Sequence, residues 1–327
     1  DKLIMSKISK VRAIQVFDSR GVPTISCKVN LDDGTSAIAM VPSGASTGSK
    51  EALELRDGNE AYHGKGVLNA VSNVNEKLSS LIIGKDPVDQ YEIDKTLIEC
   101  DGTSDKSALG ANAILAVSLA TAKVASMMQR IPLYKHFSNT YKNITGDLAN
   151  FVMPMPMFNI LNGGEHSNNN IDIQEFMIIP NGAKTFEEVM QWTVEIYHNL
   201  KKILLSNNHS IAVGDEGGFA PNLKSNEEAI KLIIEAIKNS NLDLKKDINI
   251  ALDCAASEFF NGSNYFMKGE NQKLTSTELV NYLESLVKKY PITSIEDGMD
   301  ENDKNGWKLL TSQLGDKCQL VGDDLFV

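Results

Sequence analysis

The chain has 327 residues with 43 acidic and 32 basic side chains, a formal net charge of -11, and 42% hydrophobic and 23% charged residues. This is the balance of a globular chain long enough for two domains. No run of Lys or Arg forms the dense patch that would make nucleic acid or an anionic membrane a main partner. At the start, DKLIMSK contains no long apolar segment of the kind a secretory signal needs, and Met5 is read as the native first residue. From Ser9 to Met40, short alternating runs such as VRAIQVFD and TISCKVNL are separated by the turn residues Gly21, Pro23, Asp33 and Gly34, which predicts an antiparallel meander. Helical spacing then runs from about Gly66 to His136. Within it, ILAVSLATAKVASMM is broken by Ser118, Thr121 and Lys123 and reads as a buried helix, too polar for a membrane span. The polar stretch NTYKNITGDLAN, Asn139 to Asn150, is taken as the connector, giving domains at 1–145 and 146–327.

After Phe151 strands and helices alternate: MPMFNILNGG, IDIQEFMIIP, a helix from Thr185 to Asn207, AVGDEGG, a helix from Ser225 to Asn239, then INIALD. Such alternation is the sequence form of a parallel α/β fold. No Gly-x-Gly-x-x-Gly opens a helix, so a barrel is preferred to a dinucleotide fold. The four cysteines, Cys27, Cys100, Cys254 and Cys318, are far apart without a CxxC pair, which fits a reduced, cytosolic compartment.

Three strand ends in the second half carry acids: Asp253 closes INIALD, Glu296 closes ITSIED and Asp323 closes QLVGDD. Their spacing leaves room for a helix and the next strand, a unit of roughly 30 residues. Consecutive parallel strands would bring all three to the C-terminal rim of a barrel, where catalytic groups sit. Three gathered carboxylates raise one another's pKa unless a cation joins them, and an all-oxygen set selects a hard ion, Mg²⁺ above all. The plainer alternative makes each acid a turn former or helix cap.

Other strand ends add chemistry. NGGEHSNNNIDIQEF carries His166, Gln174 and Glu175, and VGDEGGFAP sets Asp215 and Glu216 between glycines, where a carboxylic acid in a tight turn is a candidate general acid. Simple solvation of a loop is the competing explanation for that acid pair. VPSGASTGSKEALELRDG, Val41 to Gly58, fails the Walker spacing and reads as a Ser/Gly loop able to close over a site, or as an ordinary surface loop.

The stretches FDSRGVPT, VPSGASTGSKEALELRDG, LGANAILAVSLA, PMFNILNGGEHSNNNIDIQEFMI, VGDEGGFAPN, ALDCAASEFF, SIEDG and QLVGDDLFV run in order over almost the whole chain. Together they resemble the enolase family, in forms of bacterial type. The resemblance implies an N-terminal α+β domain, meander plus helices, followed by an enolase-type (β/α)8 barrel that is incomplete over these residues. It also implies a lyase that dehydrates 2-phosphoglycerate to phosphoenolpyruvate in glycolysis, and reverses the step in gluconeogenesis.

Carried over position by position, the resemblance gives Asp253, Glu296 and Asp323 as ligands of a first Mg²⁺. Ser46 would hold a second together with the substrate phosphate. Glu216 matches the acid that helps expel the C3 hydroxyl, Glu175 and His166 its neighbours beside the substrate, and Gln174 a substrate contact. A homo-oligomer, dimer or octamer, is implied, with cytoplasmic location and, as for other enolases, presence in secreted form or at the cell surface. In enolase-superfamily sites a Lys or His base works with one or two Mg²⁺ ions. The lysine of that pattern lies beyond the DDL motif and has no counterpart up to Val327, so the chain is expected to lack the C-terminal part of the barrel. Two alternatives follow. Other superfamily members place Lys-x-Lys on the second barrel strand, where this chain has Gln174 and Glu175; an inactive chain would act only as a binding or surface protein.

Overall fold

The computed structural model describes residues 6–44, 47–148 and 150–327. Two compact units emerge, one formed by Asp1–Gly44 with Lys50–Val152 and the other by Ala45–Ser49 with Met153–Val327. Each has its own hydrophobic core.

In the first unit β1 (Ile8–Phe17), β2 (Pro23–Leu31) and β3 (Ser36–Met40) form the expected antiparallel meander in sequence order. Ile25, Cys27 and Val29 alternate along β2 and are fully buried, the period-2 signature of a sheet with one face in a core. The helices are α1 (Leu68–Ser72), continued by a π-helical stretch at Asn73–Leu78 into α2 (Ser79–Ile82), then α3 (Gln90–Asp101), α4 (Ala111–Met128) and α5 (Leu133–Thr145). α4 packs on β2 and β3. By length and composition alone it could cross a membrane, but 61% of it is buried inside the protein, in keeping with the expected buried helix. The polar stretch expected to be a connector is largely helix. α5 runs to Thr145 and ends at Gly146, whose φ of 84° supplies the left-handed C-terminal cap.

The second unit holds β4 (Phe158–Asn162), β5 (Glu175–Ile179), α6 (Phe186–Ser206), α7 (Asn226–Asn239), β6 (Asn249–Asp253), a small hairpin of β7 (Tyr265–Met267) and β8 (Gln272–Leu274), α8 (Ser276–Lys289), β9 (Ile292–Glu296), α9 (Lys304–Leu314) and β10 (Gln319–Val321). Helix starts follow local chemistry. The hydroxyls of Thr185, Ser225 and Thr275 accept from the N–H groups of Glu188, Glu228 and Glu278, and at α8 the Glu278 carboxylate returns to the Thr275 N–H as a capping box.

Five strands form one open sheet in the order β10-β9-β6-β5-β4. β6, β9 and β10 are parallel, but β5 runs antiparallel to both β4 and β6. This departs from the all-parallel expectation because the link from β4 to β5 contains no crossover helix, only the 3-10 turn Gly164–His166, so β5 folds straight back beside β4. AVGDEGG is likewise a turn rather than a strand, pinned by bridges of Phe219 to Val213 and to Leu161.

Candidate active site

Strand register builds the site. Across the sheet, Asn162 faces Glu175, Glu175 faces Asp253, Asp253 faces Glu296 and Glu296 faces Val321. Paired residues on neighbouring strands project to the same side of a sheet, so Glu175, Asp253 and Glu296 form a row of three carboxylates on one face. Because β5 is antiparallel, Glu175 joins that row from the start of its strand rather than the end.

The row is electrostatically loaded. Burial pushes the Asp253 carboxyl up to about 8, reinforced by the charges of Glu296 and Glu175. Glu296 is raised to about 7, first by burial and then by Asp297, Asp323, Glu175 and Asp324. Asp253 is only 8% exposed. Its Oδ2 accepts from Gln174 Nε2 at 3.3 Å, and its carbonyl accepts from the Gln174 N–H at 3.1 Å. Carboxylates that share one half-buried face and raise one another, with oxygen donors throughout, have the chemistry of a hard divalent cation's ligands, and such a cation would relieve their mutual repulsion.

Asp323 reaches the same neighbourhood from beyond β10. It is exposed, and Asp324 beside it is buried. Both backbone N–H groups are accepted by the Asp297 carboxylate, Asp323 at 3.2 Å from either oxygen and Asp324 at 2.9 Å from Oδ2.

A second group sits at the β4 side of the row. His166 Nδ1 lies 3.3 Å from Glu175 Oε1 and 3.8 Å from Glu216 Oε2. The Glu175 contact raises the imidazole, against the opposing effect of burial, with the charges of Glu216 and Asp215 adding to it. Burial works to raise Glu175, but its contacts with His166 and Glu216 together hold it below the usual range. Glu216 moves the other way. Although 45% of its side chain is exposed, partial desolvation and then the Glu175 carboxylate push it up to about 7. The trio is a proton-sharing network that favours the ionised form of Glu175 and the protonated form of Glu216. One ligand atom from each of His166, Glu175 and Glu216 lies within 4.8 Å of the others, so by distance alone these three could also hold a metal.

The turn that carries Glu216 is placed by close backbone approach. The Asp215 N–H donates to the His166 carbonyl at 3.0 Å. A Cβ at Gly214 would lie 2.5 Å from that carbonyl oxygen, and one at Gly218 would lie 2.5 Å from Asn162 Oδ1, so only glycine fits at either position. Asn159 Nδ2 donates to Glu216 Oε2 at 3.2 Å.

Of the site residues expected from sequence, Glu175, Asp253 and Glu296 share the row, His166 and Glu216 adjoin it, Gln174 is bonded to Asp253, and Asp323 approaches from the β10 side. Ser46 lies outside the described residues. Three contributors were missed. Asn159 offers no more signal than any strand Asn. Asp297 adjoins the expected Glu296, and its positive φ is invisible in sequence. Glu301 accepts from the Ser49 N–H at 2.9 Å with Oε2 and from the Ser49 hydroxyl with Oε1.

Two family models match the chain. The first, "Enolase, N-terminal domain", covers residues 8–137 and the second, "Enolase, C-terminal TIM barrel domain", covers 150–327.

Proposed function

The chain belongs to the enolase family, and from that premise we propose that it serves the Mg²⁺-dependent, reversible dehydration of 2-phosphoglycerate to phosphoenolpyruvate. The observation that carries this reading is the in-register row Glu175, Asp253 and Glu296, with Glu216, raised by desolvation and by Glu175, at its side. The family points to a divalent metal. Asp253, Glu296 and Asp323 are the residues that would hold a first Mg²⁺, and Ser46 with the substrate phosphate a second. When bound, such cations supply positive charge for the substrate carboxylate and for the negative charge that develops on it.

The chain's own groups would divide the remaining work. A base must take the proton from C2, alpha to the carboxylate, and the electron pair left behind forms the C2–C3 double bond as the C3–OH bond breaks. Glu216, which keeps its proton near neutral pH, gives that proton to the departing hydroxyl so that water leaves. The charge of Glu175, paired with His166, favours the return of a proton from solvent to Glu216 after each turnover. Gln174 orients Asp253 through its amide, and the family pattern makes it a substrate contact. The lysine base of the family pattern has no counterpart among residues 1–327. The same reading carries a homo-oligomer and a cytoplasmic setting, the latter supported by four free cysteines, three of them buried.

Formation of phosphoenolpyruvate is followed by its ultraviolet absorbance, with Mg²⁺ present or removed by chelator. Turnover that disappears with chelator and in Glu216→Gln is the expected result. Turnover indifferent to chelator overturns the metal assignment. Absence of turnover with substrate still bound leaves the chain as a binding protein.

A further inference from the structure

Asp297 has a geometry that its neighbours do not explain on structural grounds alone. It follows Glu296 at the end of β9, is 3% exposed, and takes a left-handed φ of 42°, a conformation that a side chain other than glycine rarely adopts. Four of its groups are committed. Its N–H donates to the Val321 carbonyl at 3.0 Å, and its carbonyl accepts from the Ala256 N–H at 3.0 Å. Its two carboxylate oxygens take the backbone N–H groups of Asp323 and Asp324.

The Val321 bond prolongs the contact between β9 and β10 by one residue, and past it no ladder bond holds the turn from Gly322 onward. Asp323 is exposed there, so the surrounding packing does little to fix its carboxylate. The Asp297 carboxylate supplies the missing restraint, and it does so from the residue next to Glu296. An amide or hydroxyl could accept the same backbone bonds without adding charge. A buried carboxylate beside Asp253, Glu296, Asp323 and Asp324 adds repulsion instead, an arrangement that makes sense where positive charge is to be held.

Given the reading above, in which Asp253, Glu296 and Asp323 take a divalent cation, we infer that Asp297 is the positioning residue of that site. It clamps the Asp323 turn against β9 and so fixes the backbone from which the Asp323 carboxylate extends. Groups that orient metal ligands in this way typically change affinity by about 10–100-fold when removed.

The test uses the full chain and Mn²⁺ as the probe, with free Mn²⁺ counted by electron paramagnetic resonance and water bound to the ion counted by proton relaxation. Asp297→Asn keeps an acceptor but loses the charge and one oxygen. Asp297→Glu keeps the charge but moves it by a methylene. Both variants are expected to bind Mn²⁺ about 10–100-fold more weakly and to show more water on the bound ion, as Asp323 is replaced by solvent. Circular dichroism establishes that each variant is folded. Binding by Asp297→Glu equal to the unmodified chain, with Asp297→Asn weak, would show that the charge acts through its field and overturn the clamp. Unchanged affinity and unchanged bound water in both would reduce Asp297 to a fold residue. If the unmodified chain takes up no Mn²⁺, or Asp253→Asn binds it equally well, the cation reading itself fails and the inference with it, an outcome distinct from the other two.

Discussion

Glu175 and Glu216 are the same side chain pushed in opposite directions, and surroundings alone divide them. Glu175 is paired with His166, whereas Glu216 is partly desolvated and next to the Glu175 carboxylate. An acid that must hold its proton loses effectiveness as pH rises through its pKa, so turnover by the metal-loaded enzyme is expected to decline above about pH 7. Glu216→Gln is expected to lower turnover by about 10²–10⁴-fold and to abolish that alkaline limb, while leaving Mn²⁺ binding intact. A pH–rate profile on both forms checks this. Most of these identities were legible in sequence because acids close several successive strands and the stretches that carry them resemble one family in order along the chain. Asp297 was not, since adjacency to Glu296 would place it on the opposite sheet face, and only the positive φ turns its carboxylate back toward Asp323.

At the level of elements, the placement of Glu216 depends on glycines rather than on the acid itself. An added Cβ at Gly218 would lie 2.5 Å from Asn162 Oδ1 and 2.8 Å from the Leu161 nitrogen. Gly218→Ala is therefore expected to cost about 1–3 kcal/mol in denaturant unfolding and to reduce turnover further by displacing the Glu216 turn. Thr275→Ala, by contrast, removes the capping box of α8 and is expected to cost about 1 kcal/mol with no loss of turnover. Caps such as Thr275 with Glu278 could be read directly, because both partners lie within one turn of chain. The sense of β5 could not. It is set by how the Gly164–His166 turn directs the chain, and an apolar run such as FMII looks alike in either direction. The helical nature of Asn139–Thr145 was hidden by its polar residues, although Gly146 marked its end.

At the scale of the whole molecule, metal-free stability should respond to pH in a defined direction. Asp253 at about 8 and Glu296 at about 7 stand above the ordinary carboxylate range of about 4 that they regain on unfolding. The folded chain therefore binds more protons than the unfolded one between about pH 4 and 8. Folded-state pKa values raised in this way give stability that is full below the unfolded value and lost as pH climbs through the folded one. In chelator, the melting temperature is expected to fall by several degrees from pH 5.5 to 8.5. Added Mn²⁺ should flatten that slope, and Asp253→Asn should reduce it without metal. A melting temperature that rises over the same interval in chelator would contradict the repulsive row.

The Ser49 contact with Glu301 spans 252 residues of chain. It closes a loop so long that its own closure entropy could never sustain it, so it can persist only once the segments around Glu301 are already in place. Ser49 is then expected to order late in folding and to release early in the native protein, with the five-stranded sheet undisturbed. Amide hydrogen exchange would register this as a Ser49 N–H that trades its proton far sooner than those of β6 or β9, at a rate set by the release of one carboxylate.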